Sequence, residues 1–368
     1  MALWARAVAE VGVGSEISRC EFMFNAEASK MKKKRVGVIG VGLIWQRVHQ
    51  PILRDMQSAF EPVAFCDASP ERRAHIAAEY PGRPVVADYE ELLALDEVEV
   101  VLSLMPIPLT PVVVEAALKA GKDVVTEKPL ARSVPEGRRL IERAHAAGKK
   151  LFVAEQLAYR RGNQIMREIL DSGEIGQVVM WQRVAHHREV PRDGNYATTP
   201  WRQRPDYPLG PLFDGGIHVI ADLDRVFGSP VSVDAHGQQL RPEFGDYDHV
   251  AALFHYDNGL VGQLSFGSYL PSLQRHYTVY GSEGCLTAEA SLGPGQRSLR
   301  IEREDGTVRE VALEEENSYA AMWQAFAASF SDETAPYYTP EKALFDVALL
   351  VGIERSIKSG LRQDIAVD

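Results

Sequence analysis

The sequence predicts an α/β fold with two domains. The first is a Rossmann domain with a doubly wound parallel sheet, and the second is an α+β domain with a mostly antiparallel open sheet. Short apolar runs alternate with helical segments over residues 32–155, as in a parallel sheet covered by helices. Longer runs of β-like sequence then dominate residues 156–368. At 368 residues, the chain is also too long for one ordinary core.

Six short apolar runs are the predicted strands of the first domain. They are residues 36–39, 62–66, 85–86, 98–104, 124–125 and 151–154. Helix signals follow most of them. Ser69 and Ser133 are N-cap residues, and Thr110 precedes a proline at a helix start. Gly148 ends the helix that Ser133 begins. Pro51 lies inside the first helix and predicts a kink or an early break there.

The second domain combines strands with four helices. Asp257-Asn258-Gly259 and Asp305-Gly306 are hairpin turn signals. One helix begins at Asn163, an N-cap residue, and ends at Gly173. The other helices are predicted over 214–227, 318–331 and 339–360, and the strands over 178–190, 231–239, 250–256, 260–268, 276–280, 299–302 and 307–313.

Composition argues against several classes of partner. The formal net charge is −11, and an acidic surface repels phosphate backbones, so we expect no nucleic-acid partner. Because no apolar run is long enough to span a bilayer, we expect no membrane partner either. The three cysteines lie far apart and match no metal-site spacing. We therefore expect no metal, no disulfide framework and a reducing, cytoplasmic location.

Residues 1–31 are interpreted as an N-terminal extension. The basic run 31–35 and the apolar residues after it imitate the first two regions of a signal peptide. Trp45 follows instead of a small-residue cleavage site, and the same run is typical of a first strand with its turn. Residues 1–30 show no clear hydrophobic period, so we expect them to be dispensable, with Met31 as an alternative start.

A glycine turn after the first strand is the candidate nucleotide site. Gly40 makes the tight turn. Gly42 lets the backbone approach a pyrophosphate, which the N-terminus of the next helix stabilises. Trp45 occupies the place of the third glycine in the dinucleotide fingerprint. It predicts either a displaced helix or an indole that points outward to a cleft. A tight turn without a ligand is the alternative interpretation.

Asp67 ends the second strand, where an acidic residue contacts the adenosine ribose in dinucleotide-binding folds. Its carboxylate would accept hydrogen bonds from the ribose hydroxyls and repel a 2′-phosphate, which favours NAD. A helix-capping aspartate is the alternative. Arg72 and Arg73 follow closely and could partner a phosphate, so NADP stays open.

Two further stretches carry candidate catalytic groups. Lys128 follows the fifth strand, at the edge where open α/β sheets bind ligands. Its ammonium would stabilise a developing alkoxide, although most lysines are solvated surface charges. Asp214 and His218 are four residues apart on a predicted helix, so they would share a face, and the carboxylate would orient or tune the imidazole. A packed histidine with a capping aspartate is the alternative.

The motifs Gly40-x-Gly42, Asp67, Glu127-Lys128-Pro129 and Asp214-x-Gly216-x-His218, in this order, resemble the glucose–fructose oxidoreductase/inositol dehydrogenase (Gfo/Idh/MocA) family. The resemblance covers nearly the whole chain from about Lys32. It implies an enzyme that binds NAD, with NADP possible, and that oxidises or reduces a carbon of a sugar or cyclitol.

The resemblance also implies roles for individual residues. Catalysis would rest on Lys128, Asp214 and His218, and substrate binding on Tyr159, His187 and Arg202. The cofactor would be held by Gly40, Gly42, Leu43, Ile44, Asp67, Met105, Pro106, Thr110, Glu127, Lys128 and Gln156. Two further positions depart from the family pattern: Thr110 replaces a frequent histidine, and Ala221 replaces a usual aspartate.

The expected reaction is a hydride transfer to or from the nicotinamide. His218 would take the proton of a substrate alcohol while Lys128 holds the same oxygen. The alternatives are a glycoside hydrolase that uses NAD for transient oxidation and a non-catalytic NAD-binding regulatory protein. The resemblance also implies a homodimer or homotetramer, because one face of such a sheet often pairs with another subunit in proteins of this family. His186 and His187 should lie on opposite faces of their strand, and residues 191–208 form either a lid or an irregular loop.

Overall fold

A computed structural model describes residues 33–188, 196–242, 245–270, 275–289, 298–314, 317–332 and 334–367. The predicted N-terminal extension lies outside these residues. Residues 189–195 also lie outside them, and they include the end of the predicted strand 178–190 and the start of the predicted lid.

The first sheet has six parallel strands in the order β3-β2-β1-β4-β5-β6. They are β1 (Lys34–Ile39), β2 (Phe60–Cys66), β3 (Val85–Val86), β4 (Val100–Ser103), β5 (Asp123–Glu127) and β6 (Leu151–Ala154). The predicted doubly wound parallel sheet is therefore confirmed. The strand order reverses between β1 and β4. Ligands of such sheets bind outside the carboxyl ends of the strands at this point.

Two helices of this domain begin at the capping serines of the sequence, and one of them ends at the predicted glycine. The Ser69 hydroxyl accepts a hydrogen bond from Arg72 N–H (3.3 Å), and the Ser133 hydroxyl accepts one from Glu136 N–H (3.4 Å). Gly148 ends its helix with φ 60°, a conformation that glycine adopts without strain. The helices are α1 (Gln50–Asp55), α2 (Pro70–Glu79), α3 (Tyr89–Leu93), α4 (Thr110–Lys119) and α5 (Val134–Ala147).

The helix after the glycine turn begins as a π-helix over Trp45–His49 and continues as α1. The Trp45 indole is fully buried against Phe65 and Tyr80, with ring centroids 5.8 and 6.4 Å apart. The expectation of an indole that points outward is therefore wrong. A wider turn accommodates the ring where the fingerprint has glycine. Pro51 is the second residue of α1 and lies inside a continuous helix, because α1 continues the π-helix, and this helix ends soon after it, at Asp55.

The second sheet has nine strands in the order β14-β13-β12-β11-β7-β10-β9-β8-β15. All neighbours are antiparallel except β7 and β10, which confirms a mostly antiparallel sheet. The strands are β7 (Val178–His186), β8 (Ser232–Gln238), β9 (His249–His255), β10 (Val261–Gly267), β11 (Arg275–Gly281), β12 (Gly284–Glu289), β13 (Ser298–Arg303), β14 (Val308–Ala312) and β15 (Gln363–Asp364).

Two helix predictions in this region are wrong. The segment 214–227 contains two helices, α8 (Pro211–Asp214) and α9 (Ile217–Phe227), separated by Gly215-Gly216. A side chain at Gly216 would lie 2.5 Å from Leu212, so only glycine fits this break. Asn163 caps no helix, because α6 (Arg161–Asp171) begins two residues earlier. Its buried amide instead donates hydrogen bonds to Leu157 O and Asp222.

A buried ion pair ties α9 to the covered face of the second sheet. Arg183 on β7 is 1% exposed and donates to Asp222 Oδ2 (2.8 Å) and to Val219 O (3.3 Å). Its guanidinium also lies 4.9 Å from the Tyr277 ring centre. A buried charge needs such partners, because burial removes its hydration. Asp222 is thus a structural residue that fixes the helix on which His218 stands.

The last long helices of the chain extend the covered surfaces. α10 (Ser318–Asp332) packs on the first domain, where Phe326 stacks on Phe152 (4.9 Å) and Trp323 meets Phe60 edge-on (5.0 Å). α11 (Pro340–Ser359) lies against β8, α5 and α9. A short helix, α7 (Pro200–Gln203), carries Arg202.

The opposite face of the second sheet is open and carries histidines near its centre. His186 Nε2 lies 2.7 Å from Ser265 Oγ, and His249 Nε2 lies 3.3 Å from the same oxygen. Burial lowers the pKa of both imidazoles. The neighbouring His249 and His276 lower the pKa of His186 further, while Asp248 partly offsets the shift at His249.

We predict that the free energy of unfolding falls as the pH drops through about 6.5, the ordinary histidine pKa. In this range the unfolded chain binds protons that folded His186 and His249 still reject, so protonation favours unfolding. Urea unfolding at about pH 7.5 and pH 5.8 measures the effect. His186→Gln should reduce the difference, and the same change at exposed His75 should leave it unaltered. Equal pH dependence of the wild type and His186→Gln would contradict the assignment.

Candidate active site

The glycine turn lies at the switch point of the first sheet and fits a dinucleotide. Gly40 has φ +94°, and a Cβ there would lie 2.8 Å from Leu104 O at the end of β4. A side chain at Gly40 is therefore excluded by backbone conformation and by space. A Cβ at Gly42 would meet only the tip of Arg72, at 3.6 Å. Leu43 and Ile44 open the helical turn behind it, as a pyrophosphate cradle requires.

Asp67 is bound to this turn. Its Oδ2 accepts a hydrogen bond from Val41 N–H (3.0 Å) and its Oδ1 accepts one from Ser69 N–H (2.9 Å). Arg72 Nη1 lies 3.5 Å from Oδ2, and Arg73 donates to the carbonyl oxygen of Asp67 (2.8 Å). One carboxylate and two guanidinium groups therefore stand where the adenosine end of a dinucleotide would bind.

The other predicted cofactor residues follow β4 and β6. Met105 and Pro106 form the turn after β4, and the Thr110 hydroxyl donates to their carbonyl oxygens, at 3.4 Å in each case. Thr110 is 2% exposed, so it shapes this turn from inside. Gln156 opens a 3₁₀ turn after β6 and is 8% exposed.

Lys128, Asp214 and Arg202 form a charged group between the end of β5 and α8. Lys128 Nζ donates to Asp214 O (2.7 Å) and to Asp214 Oδ1 (3.2 Å). The Arg202 Nε and Nη2 groups donate to the two oxygens of the same carboxylate. Burial acts to raise the pKa of Asp214, but the charges of Lys128 and Arg202 outweigh it and hold that pKa far below its usual range. Asp214 therefore stays ionised.

His218 has a different carboxylate partner from the predicted one. Its Nδ1 lies 2.9 and 2.7 Å from the two oxygens of Glu155, which is fully buried and also accepts a hydrogen bond from Leu157 N–H. The break at Gly215-Gly216 is the reason, because it removes Asp214 from the helix of His218. Because a carboxylate oxygen accepts a hydrogen bond, Nδ1 is the donor in this contact, and Nε2 is the ring nitrogen on the other side of the imidazole.

Glu155 was not among the predicted site residues, although one signal for it was present. It follows β6, at the edge of the sheet where Lys128 follows β5. Neighbouring parallel strands carry their carboxyl ends to the same edge, so a glutamate there was a candidate partner for any nearby base. Its distance of 63 residues from His218 along the chain concealed the pair.

A small cavity of about 50 Å³ brings together three predicted residues. Its lining comprises His187, Arg202, Tyr207, Pro211, Asp214, Gly215 and Ser268. Tyr159, the remaining predicted substrate-binding residue, does not line this cavity. It is 6% exposed, its hydroxyl accepts a hydrogen bond from Tyr338 N–H (3.4 Å), and burial raises its pKa. His186 and His187 lie on different faces, since His186 reaches Ser265 on the open face and His187 packs on buried Phe266.

Within the residues that the structure describes, no group of three or more histidine, cysteine, aspartate or glutamate side chains is arranged to hold a metal ion. None of the helices described combines the length and the apolar character that crossing a membrane requires.

Known proteins match both halves of the chain. A family model described as an oxidoreductase family with an NAD-binding Rossmann fold matches residues 34–155, and the GFO/IDH/MocA C-terminal domain matches residues 163–287. A dTDP-3,4-didehydro-2,6-dideoxy-α-D-glucose 3-reductase of Streptomyces violaceoruber is 32% identical over 80% of this chain and 84% of its own.

Two other relatives extend the comparison. A scyllo-inositol 2-dehydrogenase (NADP+) of Bacillus subtilis is 25% identical over 69% of this chain and 68% of its own. The crystal structure of an oxidoreductase from Thermotoga maritima superposes with a TM-score of 0.82 at 26% identity, over 91% of this chain and 99% of that chain. With the glycine turn and the Glu127-Lys128 edge in place, these matches show that the chain belongs to the GFO/IDH/MocA family of oxidoreductases and has its NAD-binding Rossmann fold.

Proposed function

We propose that this protein transfers hydride between a nicotinamide cofactor and a secondary alcohol or carbonyl of a sugar, cyclitol or related polyol. The observation that carries the proposal is the pairing of Lys128 with Asp214 and of His218 with Glu155. Each pair leaves one group available to a substrate oxygen. The names of two relatives support the substrate class, since one is a reductase of a dTDP-linked sugar and the other an inositol dehydrogenase.

The cofactor would bind along the carboxyl ends of the first sheet. Gly40 and Gly42 supply the close backbone approach, and Asp67 with Arg72 faces the adenosine end. When bound, the nicotinamide supplies the hydride acceptor or donor. The chain itself supplies binding, orientation and proton transfer.

Lys128 holds the substrate oxygen. An ammonium has three N–H donors, and two of the hydrogen bonds of Lys128 go to Asp214. The third donor is available for the oxygen that gains negative charge as its proton leaves. Asp214 keeps the ammonium in place, and because it stays ionised between two cations it is not the proton acceptor.

His218 exchanges the substrate proton at Nε2. Glu155 accepts the hydrogen bond from Nδ1, which fixes the tautomer and the ring orientation and stabilises the imidazolium when it forms. The role that the sequence suggested for Asp214 therefore passes to Glu155. Carbonyl reduction uses the same groups in reverse, with His218 as the acid.

The best first experiment is a panel of sugars, inositols and polyols tested with NAD and NADP and followed by nicotinamide absorbance. Turnover with matching NADH or NADPH formation supports the proposal. Glycoside cleavage without net NADH would favour the hydrolase that uses transient oxidation. Cofactor binding without turnover of any panel member would favour a regulatory protein. A cytoplasmic location, inferred from cysteine usage, stays a prediction.

Cofactor choice should depend on Asp67 and Arg72. We expect NAD to bind more tightly than NADP, because the carboxylate repels a 2′-phosphate. Asp67→Asn should reduce the difference between the NAD and NADP affinities. Arg72→Gln should increase that difference, since it removes the cation that lies near Asp67. Fluorescence titration with NADH and NADPH measures both dissociation constants. NADPH binding as tight as NADH binding in the wild type would show that the arginines dominate.

Lys128→Met and His218→Asn should each lower turnover by roughly 10²-fold or more, the scale of general acid–base catalysis. NAD affinity should stay within a few-fold. The double variant should lose less than the product of the two single losses, because both groups act on one oxygen. The pH dependence of oxidation should also differ between the wild type and His218→Asn, because the variant has no side chain that exchanges the substrate proton. Wild-type turnover by His218→Asn would exclude this mechanism.

The two carboxylates should differ in their effect on pH dependence. Glu155→Gln should lower turnover by about 10-fold or more and change the pH dependence of oxidation, because it alters the acceptor that holds Nδ1 of His218. Asp214→Asn should lower turnover without changing that pH dependence, since its partners are Lys128 and Arg202. The pH profiles of kcat for both variants provide the measurement. A shift in Asp214→Asn alone would reverse the assignment.

The open face of the second sheet should join two subunits in a homodimer or a homotetramer. Leu253 and Tyr280 are large hydrophobic side chains that are 40% and 41% exposed on this face, where a second subunit would cover them. Light scattering at micromolar concentration should give an oligomer for the wild type and a smaller species for Leu253→Glu. The same substitution at Leu361, which is 67% exposed and outside this face, is the matched control. A wild-type monomer would exclude the assembly.

A further inference from the structure

A fully buried histidine connects the glycine-turn helix with the edge that carries Lys128. His49 is the last residue of the π-helix that follows the turn, and its side chain is 0% exposed. Its Nε2 lies 2.9 Å from Glu127 Oε1, and its Nδ1 lies 3.1 Å from the indole Nε1 of Trp323 on α10. Three separate parts of the chain therefore meet at one imidazole.

The partners of His49 determine its tautomer. The indole N–H of Trp323 is a donor and has no acceptor atom, so His49 Nδ1 must accept that hydrogen bond with its lone pair. The ring proton is then on Nε2, which donates to Glu127. His49 is thus held as a neutral, single-tautomer donor and, unlike His218, has no nitrogen left for proton exchange.

Glu127 is correspondingly fixed. Its Oε1 accepts the hydrogen bond from His49, and its Oε2 accepts one from Lys128 N–H (3.2 Å). Burial acts to raise the pKa of Glu127, but the hydrogen bond from His49 and the charge of Lys128 outweigh it, so the pKa lies below its usual value. Glu127 is therefore an ionised carboxylate with a hydrogen bond at each oxygen, and one of these bonds holds the backbone N–H of Lys128.

We propose that His49 is a positioning residue of the reaction. By holding Glu127 in one orientation, it fixes the backbone at Lys128 and so directs Nζ to Asp214 and to the substrate oxygen. Trp323 acts one step further out by fixing the tautomer of His49. This inference rests on the role proposed above for Lys128.

The test compares two substitutions of His49. His49→Gln keeps an N–H donor for Glu127, whereas His49→Leu removes it at similar volume. We expect His49→Leu to lower kcat by about 10-fold or more, because small displacements of a catalytic group are costly. We expect the dissociation constant of NADH to stay within about threefold, and His49→Gln to recover most of the lost kcat. The same pair of changes at His75, whose side chain is 65% exposed, is the matched control.

A measurement independent of activity accompanies these kinetics. Nitrogen-15 NMR of labelled imidazoles should show one histidine as a fixed Nε2–H tautomer, and His49→Gln should remove that signal. Trp323→Phe, which removes the indole donor, should turn it into a mixture of tautomers. An Nδ1–H tautomer at His49 would overturn the proposal. An unchanged kcat in folded His49→Leu would also overturn it. The same holds if His49→Leu and His49→Gln lose kcat equally and in proportion to their loss of thermal stability.

These outcomes are separable from a failure of the proposed function. If Lys128→Met keeps wild-type turnover while His49→Leu loses it, the role of Lys128 is wrong and His49 does not act through it. If no panel substrate is turned over, the proposed function fails, and the NMR signals still decide whether His49 is locked between Trp323 and Glu127.

Discussion

The ion pair between Lys128 and Asp214 is the contact on which the site depends. It joins the carboxyl edge of the Rossmann sheet to α8, so the site exists only when both halves of the chain have folded. Both side chains are nearly buried, at 10% and 13% exposure. Leaving a buried charge without its partner typically costs about 3–5 kcal/mol, and that cost applies to Lys128 if Asp214 is removed, whereas Asp214 without Lys128 still has Arg202 beside it. Arg202 supplies a second cation, which keeps the aspartate ionised and the lysine fixed.

Four carboxylates serve the proposed cofactor and catalytic sites, and each has donors of its own. Asp67 is held by the glycine turn, Glu127 by His49, Glu155 by His218 and Asp214 by two cations. A carboxylate that is already hydrogen-bonded in its charged form is a poor proton acceptor near neutral pH. The arrangement thus leaves proton exchange to the imidazole of His218 and gives the acids the task of orienting other groups.

The fold and half of the site followed from local patterns in the sequence. Apolar runs that end at Gly40 and Glu127 predicted both the parallel sheet and the edge where ligands bind. The four-residue spacing of Asp214 and His218 was misleading, because periodicity cannot show that a Gly-Gly pair will break a helix. The Glu155–His218 and His49–Trp323 pairs were beyond reach for another reason: such contacts join residues 63 and 274 positions apart. Packing decides them, not propensity.

The π-helix makes positions 45 and 49 interdependent. Trp45 fills the space behind the widened turn, and His49 ends the same turn with its ring toward Glu127. A change to glycine at position 45, which would restore the dinucleotide fingerprint, would also empty a space of indole size and allow the turn to tighten to α-helical spacing. One residue of register rotates a helix by about 100°, which would carry the imidazole away from its partners. The departure from the fingerprint at Trp45 is therefore coupled to His49, because one widened turn accommodates both side chains.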